Sequence, residues 1–76
     1  MQTPLTHATN RVDWTIAELH DDWSGKQRFM ELGGVPGTAI NIQKASKRRG
    51  PVVIRMRDTK IAIRYQDACQ IVVSQN

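Results

Sequence analysis

The sequence has few of the residues on which several classes of small protein depend. Its single cysteine, Cys69, cannot form an intrachain disulfide, which excludes a small secreted disulfide scaffold. There is no Cys-x-x-Cys pair, which excludes zinc fingers and ribbons. No apolar run approaches the roughly 18 residues of a membrane span. The first residues form no apolar segment, so we expect no signal peptide and a cytoplasmic location.

The chain is also short. Its 76 residues allow one small domain, and a domain of this size buries only about 60% of the surface that its unfolded chain exposes. Little volume remains to enclose a substrate. We find no nucleophile–base pair and no glycine-rich phosphate loop, so no catalytic residue is predicted and we expect the protein not to be an enzyme.

Acidic residues are scarce in the second half of the chain. Residues 1–40 carry three basic and five acidic side chains, a net charge of −2. Residues 41–76 carry eight basic side chains against Asp58 and Asp67, a net charge of +6, and the two halves sum to the chain's +4. A basic half predicts an anionic partner.

Aromatic residues make up only 5% of the chain. Proteins that bind single-stranded nucleic acid stack bases on exposed rings between their positive charges. Here Trp14 and Tyr65 fall on predicted core faces, and Trp23 and Phe29 lie in the acidic half. We therefore expect no DNA or RNA partner, although a small basic nucleic-acid-binding barrel stays open as an alternative.

Apolar alternation predicts a mainly β domain over residues 12–76, after a loose N-terminal lead-in at 1–11. Ser24 and Gln27 have capping-box spacing for a short helix over 25–32, which Gly33-Gly34 would end before a Pro36-Gly37 turn. Five strands are predicted, at 12–18, 38–44, 51–57, 60–65 and 70–74. Together they indicate a small, partly open barrel of about five strands with one short helix. The apolar positions expected to fill it are Val12, Trp14, Ile16, Phe29, Leu32, Ile40, Ile42, Val52, Ile54, Met56, Ile61, Ile63, Ile71 and Val73.

Basic residues form the candidate partner-binding site. If Asp58-Thr59 is the turn between two of the strands, Arg57 lies opposite Lys60 and Arg64 lies near Val53. The candidate surface then comprises Lys47, Arg48, Arg49, Arg55, Arg57, Lys60 and Arg64. A solvated outer sheet face, kept soluble by charge, is the alternative interpretation of the same residues.

Metal-ligating residues do not form a recognisable set. The candidates are His7, His20, Asp21, Asp22 and Cys69, and no spacing among them repeats a known ligand pattern. We therefore predict no metal site and no cofactor, while iron or another transition metal stays open. Cys69 is expected to pack as a small apolar group.

The segment Arg28–Ile40 resembles the signature of the ferrous iron transport protein A (FeoA) family, in which a short helix ending in Leu-Gly runs into a Pro-Gly turn and then a strand. The matching residues are Leu32, Gly33, Pro36 and Gly37. The strands around them follow in the same order, so the resemblance covers roughly residues 12–74. It implies an SH3-like barrel that is a cytoplasmic accessory protein of bacterial ferrous iron uptake and not an enzyme.

The same resemblance implies a partner, the large membrane iron transporter that carries a cytoplasmic GTPase domain. The hypothesis is that the basic strand surface and loop 44–49 dock there and modulate it, peripheral to the inner membrane. The chain departs from the family's pattern at Gly34, where Leu or Met is usual and Val35 would have to fill the space, in its basic loop, and at Asp58, where Gly is commoner.

Two further expectations concern association. The runner-up function is a stand-alone SH3-like regulatory module of a metal-dependent repressor system, although no helix-turn-helix is present. A weak homo-oligomer is the other expectation, in which an edge strand such as 70–74 or 12–18 pairs with a second copy of the chain.

Overall fold

A computed structural model describes residues 1–75 of the chain. In chain order these residues form a strand, a 3₁₀ turn, a strand, a helix, three strands, a second helix and a last strand. Their bounds are β1 Gln2–Pro4, the 3₁₀ turn Leu5–His7, β2 Trp14–Leu19, α1 Lys26–Glu31, β3 Ala39–Lys44, β4 Val52–Met56, β5 Thr59–Ile63, α2 Tyr65–Ala68 and β6 Ile71–Gln75.

The strands form one antiparallel sheet in the order β1-β6-β2-β3-β4-β5. The register shifts between Ile16 and Glu18 against β6, and between Ile42 and Lys44 against β4. Such irregularities bend a strand and increase its twist, which curves the sheet around one core. The mainly β, partly open barrel expected from the sequence is confirmed, with six strands where about five were predicted.

The core follows the predicted alternation along the strands. Eleven of the fourteen expected core positions are buried, among them Val52, Ile54 and Met56 of β4. Val12 and Ile61 are only partly buried against this core. Leu32 was predicted inside, but it is 47% exposed. Helix α1 is only six residues long and buries a single side chain, Phe29, so Leu32 has no core face to join.

The N-terminal segment is not a loose lead-in, which corrects the sequence interpretation of residues 1–11. Strand β1 pairs with β6, with Thr3 opposite Val73. Leu5 is fully buried and Ala8 is 2% exposed. Burying these two apolar side chains stabilises the ordered segment. The sequence analysis did not assign them to the core because each stands alone among polar neighbours and gives no apolar alternation.

The two edges of the sheet are β1 and β5. Strand β6 lies between β1 and β2, and β2 lies between β6 and β3, so both are already paired on each side. The expectation that segments 70–74 or 12–18 offer an edge to a second copy is therefore wrong. Strand β6 pairs with β1 and β2, and β2 pairs with β6 and, at Trp14 and Thr15, with β3, so neither is an edge strand of the sheet.

Helix α1 begins without the predicted capping box. Its N-cap residue is Gly25, and no side chain caps it. Gly25 packs on the indole of Trp23, where a Cβ would lie 3.0 Å from the ring atoms. The ring centroids of Trp23 and Phe29 are 5.5 Å apart, so an aromatic contact joins the segment before the helix to its buried residue.

The C-terminal end of α1 is the one predicted. Gly33 has φ +107°, its N–H donates to Met30 O at 3.0 Å, and the N–H of Gly34 donates to Phe29 O at 3.0 Å. This pair of bonds defines a Schellman motif, which favours glycine at the left-handed position. The chain therefore leaves the helix in a fixed direction toward Pro36 and β3.

Candidate partner-binding surface

The β4–β5 hairpin places basic side chains on the outer face of the sheet. Met56 is opposite Thr59 and Arg55 is opposite Lys60, so the two-residue turn is Arg57-Asp58. The predicted turn Asp58-Thr59 and the predicted pairing of Arg57 with Lys60 are therefore wrong, because the turn lies one residue earlier. The cause of this shift is the backbone of Arg57, which has φ +56° and turns the chain one residue earlier than the sequence suggested. Arg55, Arg57 and Lys60 are all exposed, and we call these three the outer basic face.

Arg57 lies against the Gly33–Gly37 turn of the family signature. A Cβ on Gly33 would be 3.7 Å from Nε of Arg57. Two hydrogen bonds fix the turn beneath it: Oγ1 of Thr38 donates to Gly33 O at 2.9 Å, and the N–H of Gly37 donates to Ile16 O at 2.7 Å. The signature therefore forms a rigid support beside an exposed guanidinium group.

A shallow depression next to Arg57 joins it to Arg55. Its lining residues are Asp13, Ala39, Ile40, Asn41, Arg55 and Arg57. Asp13 is the acidic side chain of this set, yet the two ion pairs found within residues 1–75 are Lys26–Asp21 and Arg64–Asp67. Within that part of the chain, the charges of the outer basic face thus have no direct ion-pair partner.

The basic loop 45–50 is held in a tight turn. Arg48 has φ +54° and Arg49 has φ +61°, and the N–H of Gly50 donates to Lys47 O at 2.9 Å. Two successive left-handed residues inside a four-residue turn define type I′, which normally carries Asn-Gly. The hydroxyl of Ser46 donates to Gly50 O at 2.8 Å and braces the turn. The loop presents three exposed cations, Lys47, Arg48 and Arg49.

The loop and the Arg57 turn lie at opposite ends of β4. Four residue steps separate Val52 from Met56, which corresponds to about 13 Å at the rise of a β-strand. The structure therefore brings together Arg55, Arg57 and Lys60, and it leaves the loop as a second cluster beyond the other end of the strand. That this surface binds a partner stays a prediction.

Arg64 belongs to neither cluster, because it is engaged at the start of α2. The sequence placed it near Val53, but Val53 is opposite Ala62. Nε of Arg64 donates to Oδ2 of Asp67 at 3.1 Å, while Nε1 of Trp23 donates to Oδ1 at 3.0 Å. The hydrogen bond from Trp23 lowers the pKa of Asp67 most; burial acts against it, and Arg64 lowers the pKa further.

A groove that the sequence interpretation missed runs between α1 and the edge strand β5. Its walls are formed by Trp23, Gly25, Arg28, Phe29, Leu32, Ile61, Ala62, Ile63, Arg64 and Asp67. Arg28 of α1 and the C-cap residue Leu32 are four residues apart in helical backbone and therefore share one face. This spacing was the signal available in the sequence, and it was overlooked because Leu32 was assigned to the core.

The structure describes no metal centre within residues 1–75. No group of three or more His, Cys, Asp or Glu side chains in that range lies close enough to hold an ion. Nδ1 of His20 is 3.0 Å from Oε1 of Gln70. Asp21 accepts a hydrogen bond from Lys26 at 2.9 Å, and this bond lowers the pKa of Asp21. Cys69 is partly buried.

The departure at Gly34 has a packing explanation. Gly34 is buried, and a Cβ at this position would overlap the Phe29 ring. Phe29 therefore fills the space that a larger residue at position 34 would occupy. The expectation that Val35 fills it is wrong, because Val35 is only partly buried and lines the surface depressions on either side of the turn.

The six-stranded barrel and its open, charged surface define a small SH3-like module. A family model described as the FeoA domain matches residues 3–75, and the chain belongs to the FeoA family. It is thus a small domain related to ferrous iron uptake. No helix within residues 1–75 is long and apolar enough to cross a bilayer.

Solved structures agree with this fold. An iron uptake regulatory protein (FeoA) superposes with a TM-score of 0.83 at 21% identity, covering 100% of this chain and 99% of that one. A FeoA-like protein from Clostridium acetobutylicum gives 0.77 at 21% identity, with coverage of 97% and 86%. A manganese-dependent transcriptional repressor gives 0.85 at 13% identity, and this chain covers 42% of it. Comparison with curated proteins returned no match.

Proposed function

We propose that this protein is a cytoplasmic accessory protein of ferrous iron uptake that docks on the GTPase region of the membrane iron transporter and modulates it. The match of the FeoA domain to residues 3–75 carries the first half of this proposal. The docking half is supported by the outer basic face. In this role the protein is not an enzyme, and it lies peripheral to the inner membrane through its partner.

The outer basic face suits an acidic protein surface. Arg55 and Lys60 face each other across two strands, where like charges oppose one another and are mildly destabilising. An acidic partner would relieve that repulsion on docking. Both residues project from regular strands, so the backbone that carries them is already ordered before a partner binds.

The basic loop would act as a second point of contact. Its type I′ turn holds Arg48 and Arg49 at the tip of a hairpin, in a backbone conformation that non-glycine residues seldom adopt. Strained conformations of this kind cluster where a side chain must be presented to a ligand. Two clusters at opposite ends of β4 would fix the orientation of the docked domain as well as its affinity.

The test is a pull-down of the transporter's soluble GTPase region at low and moderate salt. We expect Arg55→Glu to lower the affinity about tenfold at low salt, because a reversed charge at a complementary interface repels the partner. The matched control is Lys26→Glu, the same charge change on α1, in a side chain that lies away from both clusters and pairs with exposed Asp21. It should leave binding within about twofold.

Binding that ignores salt, or that Arg55→Glu and Lys26→Glu weaken equally, contradicts docking through the outer basic face. The same assay with a duplex DNA in place of the protein partner tests the nucleic-acid alternative, which predicts a steep loss of binding with salt.

A second candidate is a regulatory module that acts on a metal-dependent repressor. It is favoured by the superposition on the manganese-dependent repressor, of which this fold covers 42%. Co-purification with a repressor and not with the transporter would select this candidate.

A further inference from the structure

Strand β5 has a free hydrogen-bonding edge. In an antiparallel hairpin with a two-residue turn, hydrogen-bonded pairs alternate from the closing pair, which here is Met56 with Thr59. Ile61 and Ile63 therefore direct their backbone groups toward β4, while Lys60 and Ala62 direct theirs away from it. Within residues 1–75 no other backbone group bonds to Lys60 or Ala62.

The other edge of the sheet is better protected against strand pairing than β5 is. Strand β1 has only three residues, one of which is Pro4, and short strands and prolines block further pairing. Strand β5 has five residues, Thr59–Ile63, with no proline and no register shift against β4. Its only protective feature is the charge of Lys60.

The groove beside this edge has apolar walls. Phe29 and Leu32 form the wall on α1, and Ile61 forms the wall on β5. Leu32 is 47% exposed, so its side chain offers apolar surface to an occupant of the groove. An extended chain paired with β5 would direct every second side chain toward Leu32 and Ile61.

The charges around the groove select an acidic occupant. Arg28 lines it, as does Arg64 in its ion pair with Asp67, and Lys60 stands on the outer face of β5. Asp67 is the one carboxylate in the lining, and it already accepts hydrogen bonds from Trp23 and Arg64. The remaining side chains of an added strand would face Lys60, where acidic residues pair favourably.

We propose that the free edge of β5 accepts an extended segment of the docking partner by strand addition, and that this segment alternates apolar and acidic residues over about five positions. The source of the segment rests on the proposed function, whereas the site rests on the edge, the groove and the charges alone. The outer basic face then meets the folded surface of the partner while β5 holds one of its extended segments.

The first experiment titrates the full chain with a capped six-residue peptide of alternating valine and glutamate and records backbone amide shifts and hydrogen exchange. We expect the amides of Lys60 and Ala62 to shift and to become protected. A peptide of alternating valine and lysine should bind at least about tenfold more weakly, because its charges repel Arg28 and Lys60.

Two exposed apolar residues, Met30 in α1 and its C-cap residue Leu32, supply matched variants. Leu32 lines the β5 groove, whereas Met30, at 38% exposure, lines a depression on the other side of the helix. We expect Leu32→Glu to weaken the peptide about tenfold and Met30→Glu to change it less than about twofold. Neither side chain is in the core, so both variants should fold. Ala62→Pro, which removes one outward N–H, should also weaken binding.

Equal effects of Leu32→Glu and Met30→Glu, or shifts confined to residues outside β5, would overturn the proposal. So would protection of Lys60 and Ala62 that grows with protein concentration in the absence of peptide, since the edge would then belong to a second copy. If the transporter is captured but Leu32→Glu and Ala62→Pro leave capture unchanged, strand addition fails and docking stands. If the peptide binds but the transporter is not captured, the docking function fails and the edge site stands.

Discussion

Arg48, Arg49 and Arg57 occupy the left-handed backbone region, at φ +54°, +61° and +56°. Each such placement of an L-residue costs about 1–2 kcal/mol relative to the ordinary helical region. A 76-residue domain has about 4–11 kcal/mol of net stability. The chain therefore keeps three strained residues of one charge type at the two turns that flank β4.

This strain can be removed without rebuilding the turn. We expect the double variant Arg48→Asn/Arg49→Gly to raise the free energy of unfolding by about 1 kcal/mol, because Asn-Gly suits a type I′ turn. Urea denaturation measures the stability, and the transporter pull-down measures binding. If the loop is a docking element, the variant is more stable and binds less. A loss of stability would contradict the turn assignment, and unchanged binding would remove the loop from the interface.

Single residues also show which parts of the structure the sequence predicts and which it does not. Trp14 and Ile16 were assigned to the core because they alternate with polar neighbours, and both are buried. Leu5 was missed because no neighbour gives it a period, and Leu32 was misplaced because the length of α1 decides how many faces the helix can bury. The left-handed φ of Arg57 has no sequence signature, so the register around it could not be foreseen.

At the scale of elements, α2 is joined to the segment before α1 through one carboxylate. Asp67 accepts hydrogen bonds from Trp23 at 3.0 Å and from Arg64 at 3.1 Å. Trp23 in turn contacts Phe29, the buried residue of α1. The hydrogen bond from Trp23 to Asp67 joins residues 44 apart, so no local sequence pattern predicts it.

Because folding lowers the pKa of Asp67, the unfolded chain binds more protons than the folded one near that pKa. The contribution of Asp67 to stability is therefore present above its unfolded pKa, about 4, and is lost as the pH falls through the lower folded pKa. We expect Asp67→Ala to cost about 1–3 kcal/mol at pH 7, because the indole N–H of Trp23 loses its acceptor.

Asp67→Asn keeps an acceptor for Trp23 and serves as the control. It should cost less stability than Asp67→Ala at pH 7. Between pH 5 and pH 2 its free energy of unfolding should fall less steeply than that of the wild type, because the variant lacks one titrating carboxylate. Urea denaturation across this pH range gives both quantities. Parallel pH profiles for the wild type and Asp67→Asn would show that Asp67 has no such role.

At the scale of the whole molecule, the N-terminal segment completes the core. Leu5 and Ala8 are buried together with Ala68 and Ile71 in a single apolar cluster. The barrel therefore depends on residues from both ends of the chain. The sequence alone located the centre of this core, in β3 and β4, better than its periphery.

We expect Leu5→Ala to lower the free energy of unfolding by about 2–5 kcal/mol, the range for a buried leucine that leaves a cavity. The exposed neighbour His7 supplies the control, and His7→Ala should stay within about 0.5 kcal/mol of the wild type. Equal stability of the two variants in urea would mean that residues 1–11 are a loose lead-in after all.

The pairing of β1 with β6 has one more consequence. The N–H of Gln75 donates to the carbonyl of Met1 at 3.0 Å, so the first residue and the last described residue are neighbours. A polypeptide that entered and left this barrel would do so at one place on its surface. Inserted into a longer chain, such a unit would hold the two flanking segments no farther apart than a short loop does. The same barrel superposes on an FeoA protein along 99% of that chain and on a transcriptional repressor along 42%.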